Sequence, residues 1–128
     1  MAVKRILIVD DEQVIVDMLT EILVDQGFEV AFALDAAGAL ERVRESIFDA
    51  AILDFNLPDM NGVMLHREIR QMDEELAANT LFTSGFEQSE KDLDYYTSYG
   101  KGFISKPFEI RDVLSAVNSL LDDVQDRE

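Results

Sequence analysis

The stretch that decides how this chain is read is RILIVDDE, residues 5–12. Ile6, Leu7, Ile8 and Val9 form a continuous apolar run of strand length, the pattern of a strand covered on both faces. The run stops abruptly in three carboxylates, Asp10, Asp11 and Glu12. Packing has no use for three like charges at the end of the most apolar strand. The pattern points instead to a polar edge where strands deliver chemistry.

Outward from this stretch, short apolar runs recur at Val30–Leu34, Ala50–Leu53, Thr80–Phe82 and Phe103–Ile104. Segments with helical spacing lie between them. Ile15, Leu19, Ile22 and Leu23 make a first stripe closed by Gly27 just past the helix end. Ala36, Ala39, Leu40 and Val43 make a second, with Asp35 as N-cap. Leu65, Ile69 and Met72 make a third, and Leu93 and Tyr96 a shorter fourth. Ile110, Val113, Leu114, Val117 and Leu121 make a fifth. Strand alternating with helix to the end predicts an α/β domain built on a parallel sheet. Residues 1–128 read as a single domain, with a core over about residues 4–121 and a polar tail over 122–128.

Composition narrows the function. Eleven basic against twenty-seven acidic residues give a net charge of −16. Direct nucleic-acid binding needs a basic surface, and an anionic membrane would repel this chain, so neither is expected. Cations and basic protein surfaces are the favoured partners. Without cysteine there is no disulfide and no thiolate metal site. No apolar stretch approaches membrane-spanning length and no signal peptide is apparent, so the expected location is the cytoplasm.

In an open parallel sheet the ligand site lies at the carboxyl ends of the strands. Asp10 and Asp11 follow the first run, and Asp54 follows the third in AAILDFNLPDMNG. Thr83 follows the fourth in LFTSG, and Lys106 the fifth in GFISKPF. Any one of these has an ordinary explanation as a cap or loop residue. Their joint arrival on one edge does not. Three converging carboxylates repel unless a cation screens them. With no cysteine, and a single histidine placed elsewhere, the ligands would be oxygens, which select Mg²⁺, Mn²⁺ or Ca²⁺. A metal beside a carboxylate, a hydroxyl and an ammonium suits phosphoryl transfer, with the carboxylate as nucleophile.

LIVDDE, LDFNLPDMNG, LFTSG and SKPF, in this order and spacing, resemble the response-regulator receiver domain of two-component signalling, from about Lys4 to Leu121. The resemblance implies a flavodoxin-like, doubly wound, five-stranded parallel sheet of order 2-1-3-4-5 with five helices. It implies that Asp54 accepts a phosphoryl group from a histidine kinase or histidine phosphotransfer protein. Asp11, Asp54 and the Asn56 backbone carbonyl would hold Mg²⁺, with Mn²⁺ also compatible, and Asp10 would act through water. Thr83 and Lys106 would bind phosphoryl oxygens. Thr83 and Phe103 would form the switch, and the bond from Lys106 to Pro107 is often cis. The signal would pass through the fourth helix, fifth strand and fifth helix to an output protein or tethered effector, a face that also suits a homodimer. The domain would catalyse only its own phosphorylation and dephosphorylation.

Three features depart from that pattern. Gly100 is followed by Lys101, and the fourth helix, in EQSEKDLDYYTSYG, is unusually polar. The chain before the fourth strand, DEELAANTLF, also lacks a common proline. These bear on the output face and not on the phosphorylation chemistry. Two alternatives stand beside this reading. One is a metal-dependent phosphohydrolase forming a transient aspartyl phosphate, which would want a carboxylate where Asn56 stands and a cap that no insertion supplies. The other is a degenerate receiver acting as a scaffold.

Four further features carry expectations. DMNG fails as a calcium loop because Leu57 occupies the first ligand position, so a turn into the third helix is expected. Glu12 is expected only to favour the first turn of the helix that follows. His66, beside the Leu65–Ile69–Met72 stripe, is expected to be a solvated helix residue. Tyr95 and Tyr99, four residues apart and off the Leu93–Tyr96 line, are expected at the surface, packing on each other or serving a partner.

Overall fold

A computed structural model of the chain describes residues 3–85 and 90–122. Its elements run β1 Arg5–Val9, α1 Gln13–Asp25, β2 Glu29–Ala33, α2 Ala36–Glu45, β3 Ala50–Asp54 and α3 Gly62–Met72. They continue with α4 Glu74–Ala78, β4 Thr80–Ser84, α5 Glu90–Tyr99, β5 Phe103–Ser105 and α6 Ile110–Asp122. The five strands are parallel in the order β2-β1-β3-β4-β5, as the sequence predicts.

The expected helices are present, and α4 is an additional one. It is a five-residue turn capped by the Asp73 carboxylate, which accepts from Leu76 N–H at 3.0 Å. So short a segment leaves no periodic signature to read. The expected fourth and fifth helices are therefore α5 and α6. Leu93 and Leu121, counted in their stripes, fall outside the described side chains; Leu120 instead is buried on α6, with Val113 and Val117.

Capping residues set the helix ends. Past α1, Gly27 takes φ 93°, a left-handed conformation that costs glycine nothing. Its N–H donates to Val24 O at 2.9 Å while Phe28 N–H donates to Leu23 O at 3.1 Å, the paired closure of a helix end. Asp35 accepts from Gly38 N–H at 2.7 Å to start α2, and Asn61 accepts from Met64 N–H at 2.9 Å to start α3. Asp59 adds a longer-range tie. Its two carboxylate oxygens accept from Ala36 and Ala37 N–H at 2.8 and 2.9 Å, pinning the loop after β3 to the start of α2.

The sheet separates two apolar layers. One gathers Leu7, Val9, Ala51, Leu53 and Phe82 with residues of α2 to α5. The other gathers Ile6, Ile8, Ile52 and Leu81 with α1 and α6. Consecutive strand residues alternate between these layers, so β1, β3 and β4 are buried on both faces and need unbroken apolar sequence. The edge strands are less covered: β2 and β5 are partly open to solvent.

Candidate phosphoacceptor site

Register brings the predicted chemistry together. Val9 pairs with Leu53, so Asp10 and Asp54 sit level at the ends of β1 and β3. Asp54 itself pairs with Thr83 on β4, and Ser84 with Ser105 on β5, so Lys106 comes next along the same edge. Lys106 N–H donates to Ser84 O at 2.7 Å, fixing the start of the loop, and its bond to Pro107 is cis. Together these residues rim an open cleft of about 550 Å³ lined by Asp11, Glu12, Asp54, Asn56, Gly85 and Lys106, among others.

The ammonium of Lys106 organises the rim. It lies 2.8 Å from Asp10 Oδ2, 3.2 Å from Glu12 Oε1 and 3.5 Å from Asp54 Oδ2. Burial works against the charged lysine, but the Asp10 hydrogen bond and the Asp54 and Asp10 charges outweigh it and push its pKa up. Asp10 and Asp54 are almost wholly buried, whereas Asp11 is exposed. Asp54 is pushed up to about 6, first by burial and then by the neighbouring Asp10 charge. Lys106 and the Asn56 N–H, 3.4 Å from Asp54 Oδ1, only partly oppose this.

The role expected for Glu12 needs correcting. It occupies the N-cap position of α1, but its carboxylate makes no capping hydrogen bond. Its own N–H is taken by Asp10 Oδ1 at 2.9 Å, and its side chain turns to Lys106. The carboxylate oxygens of Asp10, Asp11 and Glu12 lie within 4.8 Å of one another. A donor set of oxygens alone, with one cation already drawn into it, fits a hard divalent ion.

Close packing explains the glycine of DMNG. A Cβ on Gly62 would stand 2.9 Å from Phe55 Cα and 3.1 Å from Asp54 O, so only glycine lets α3 begin against the end of β3. In place of a tight turn the loop closes on itself, with Gly62 N–H donating to Phe55 O at 2.7 Å and Asn56 bridging Asn61. Thr83 is buried beside Asp54, and Phe103 on β5 is 40% exposed, with its ring centroid 5.8 Å from that of Tyr96. Gly100 is held to glycine by packing, whereas Lys101 after it, the departure from the family pattern, is exposed. A Cβ on Gly100 would meet the Phe82 ring and Thr80 O at 2.9 Å, while Lys101 N–H donates to Thr80 O at 2.8 Å.

His66 is the largest departure from expectation. It is 0% exposed. Its Nε2 lies 2.8 Å from Ala77 O and its Nδ1 2.8 Å from Tyr95 Oη. A carbonyl can only accept, so Nε2 carries the proton, and Nδ1 must then accept from the tyrosine hydroxyl. The side chain thus joins α3 to both α4 and α5. Burial pushes the imidazole below its ordinary value; the Ala77 bond opposes this and Arg70 adds to it. Tyr95, expected at the surface, is buried as well, while Tyr99 is exposed. The two rings pack with centroids 4.9 Å apart, as expected. Tyr95 and Tyr96 both face inward because α5 meets α3 on one side and β4 on the other.

Carboxylates on β1 and β3, a threonine on β4 and a lysine after β5, meeting at the carboxyl edge of a 2-1-3-4-5 sheet, define a phosphorylation-activated signalling domain. Comparison with known proteins places it within that class. Residues 6–118 match the family described as the response regulator receiver domain, and the chain belongs to that family. It is 38% identical over 118 residues to the chemotaxis protein CheY of Bacillus subtilis, covering 91% of this chain and 97% of that one. Among solved structures it resembles a CheY-like receiver domain protein from Methanospirillum hungatei, with TM-score 0.87 and 30% identity over 95% and 96% of the two chains. It also resembles the response regulator TrrA of Thermotoga maritima, solved in complex with Mg²⁺ and BeF, with TM-score 0.79 and 28% identity over 92% and 99%. The domain is accordingly a regulatory, phosphorylation-activated switch of two-component signalling. No described helix is long and apolar enough to cross a membrane.

Proposed function

We propose that Asp54 is the phosphoacceptor, taking a phosphoryl group from the phosphohistidine of a histidine kinase or phosphotransfer protein. The observation that carries this reading is the Lys106 ammonium, which spans Asp10 and Asp54 at 2.8 and 3.5 Å on the rim that Thr83 shares. An Asp54 carboxylate oxygen attacks phosphorus as the bond to the histidine nitrogen breaks. Lys106 and Thr83 then meet the oxygens of the transferred group. Asp11, Asp54 and the Asn56 carbonyl, with Asp10 acting through water, would hold Mg²⁺ or Mn²⁺, which would supply charge neutralisation for this chemistry. Asp54 is a competent nucleophile only when ionised, and its pKa of about 6 keeps most of it so at neutral pH.

Movement of Thr83 toward the phosphoryl group biases a two-state equilibrium of α5, β5 and α6, with Phe103 following by packing alone because it has no ring hydroxyl. The chain works as one domain in the cytoplasm and catalyses no reaction beyond its own phosphorylation and dephosphorylation. Its output goes to a partner protein or tethered effector, and the same face suits a homodimer.

Intact-mass measurement after incubation with Mg²⁺ and a small acyl phosphate tests this. One added phosphoryl group is expected, lost with EDTA and with Asp54→Ala. A chain that binds metal normally yet takes no phosphoryl group is a scaffold. Continuous phosphate release from many organophosphates marks a hydrolase instead.

A further inference from the structure

The net charge of −16 makes any paired cations away from the phosphoacceptor rim conspicuous. Arg67 and Arg70 of α3 form such a pair. They line an open cleft of about 500 Å³ between α3 and α5, together with Gln71, Glu74, Tyr95 and Tyr99. The Arg67 guanidinium lies over the Tyr95 ring at 5.3 Å, and that of Arg70 over the Tyr99 ring at 4.2 Å. Among the described residues, neither forms an ion pair with a carboxylate.

Stacking on an aromatic face has a chemical consequence. It satisfies the flat surface of a guanidinium and fixes its orientation; both arginines also donate to the Tyr95 hydroxyl, and their remaining in-plane N–H donors face the cleft. Those donors match a carboxylate two at a time. The platform beneath them is held firmly, because the Tyr95 hydroxyl donates to buried His66, which is itself anchored to Ala77 O. Little side-chain freedom remains to be lost when a ligand arrives.

The occupant follows from shape and charge. An open cleft does not enclose a small molecule as ligand pockets do. Nucleic acid would need a track of cations along its backbone, and among the described lining residues only two stand here, beside Glu74. Arginine and tyrosine side by side are the residues that anchor protein interfaces. We propose that the α3–α5 cleft is a docking surface for an acidic peptide segment of a partner protein, whose carboxylates pair with Arg67 and Arg70 while Tyr99 takes an adjoining apolar side chain. This surface lies on the α3 side of α5, away from the α5–β5–α6 face, and its operation does not depend on Asp54 chemistry.

The test is an NMR titration of the full chain with capped hexapeptides of alternating leucine and glutamate, with glutamine and lysine counterparts and a six-residue thymidine oligonucleotide as comparisons. The glutamate peptide should shift the Arg67 and Arg70 Nε–H signals saturably, and bind at least about tenfold tighter than the glutamine peptide. R67Q combined with R70Q should abolish the shifts, and lysine at both positions should restore part of the binding. Glu74→Gln, which removes a competing carboxylate from an exposed position, should tighten binding several-fold and needs no change to the packed tyrosines. Equal binding of the glutamine peptide, shifts confined to another surface, preference for the oligonucleotide, or no gain with Glu74→Gln overturns the proposal.

Discussion

The carboxyl rim of the sheet and the α3–α5 contact bury polar groups in opposite ways. At the rim, Asp10 and Asp54 lie almost out of solvent beside each other, with one ammonium shared among three carboxylates. Burial first, and then the incompletely matched charge of Asp10, makes Asp54 resist ionisation. Under α5, His66 is fully buried, yet each of its nitrogens has a partner and the ring packs against Phe82 at 5.0 Å. One region holds unmatched charge ready for a ligand. The other holds matched dipoles and adds rigidity. Both regions bury polar groups; the proposed phosphoacceptor site and the histidine network differ in the completeness of their pairing.

Removing the centre of the matched region should have the largest effect. His66→Ala opens a cavity beneath Phe82 and strands both the Tyr95 hydroxyl and Ala77 O. A loss of about 4 kcal/mol in urea-induced unfolding is expected. An unchanged midpoint would mean that the network carries no stability, and the contrast between the two regions would fail.

The rim should respond with the opposite sign. In metal-free protein, Asp54→Asn removes a carboxylate whose ionisation the fold disfavours, so it should stabilise the fold by about 2 kcal/mol at pH 7.5. Between the unfolded value near 3.8 and the folded value of about 6, the native state binds more protons than the unfolded chain. This contribution to stability is therefore present at low pH and lost as pH rises through about 6. The advantage of the asparagine variant should correspondingly vanish as pH falls from 7 toward 4. A destabilised variant at pH 7.5 would show that Lys106 over-compensates the charge.

His66 supplies the opposing slope. Its folded pKa lies below the ordinary value, so below about pH 6.5 the unfolded chain takes up a proton that the native ring does not. Stability from this group is full above that pH and falls as the solution is acidified, by at most about 1.4 kcal/mol per pH unit for a single proton. In an Asp54→Asn background, where the carboxylate no longer masks it, acidification from pH 7 to 5.5 should lower the unfolding midpoint. Adding His66→Gln should flatten that slope.

The difference between the regions also explains what could be read from sequence. The rim was legible because unbroken apolar strands such as Ile6–Val9 end in residues packing cannot use, and parallel register carries them to one edge. The His66 network was not. Residue 66 lies next to the apolar stripe of α3, and a 3.6-residue period marks only the face toward the sheet. The burial of His66 arises from α4 and α5 closing over that flank, and α4 is too short to announce itself. Tyr95 was misplaced for the same reason, since α5 is buried on two sides and one stripe cannot describe it. Glu12 was misread because its partner, Lys106, is 94 residues away in sequence.

Glu12 provides the finest probe of the rim. Its side chain is largely exposed and reaches Lys106 at 3.2 Å, whereas Asp10 holds the same ammonium at 2.8 Å from a buried position. Solvent screens the outer pair and not the inner one. Glu12→Gln should therefore change stability by less than about 0.5 kcal/mol, and added salt should erase even that. Its more informative effect is on the cluster as a ligand. Glutamine leaves the Asp10–Lys106 contact in place but withdraws one carboxylate, so a divalent cation held as proposed, by Asp11, Asp54 and the Asn56 carbonyl with Asp10 through water, should bind with nearly unchanged affinity. A tenfold loss measured by calorimetry would instead make Glu12 a ligand, and would extend the proposed metal site by one residue to the N-cap of α1.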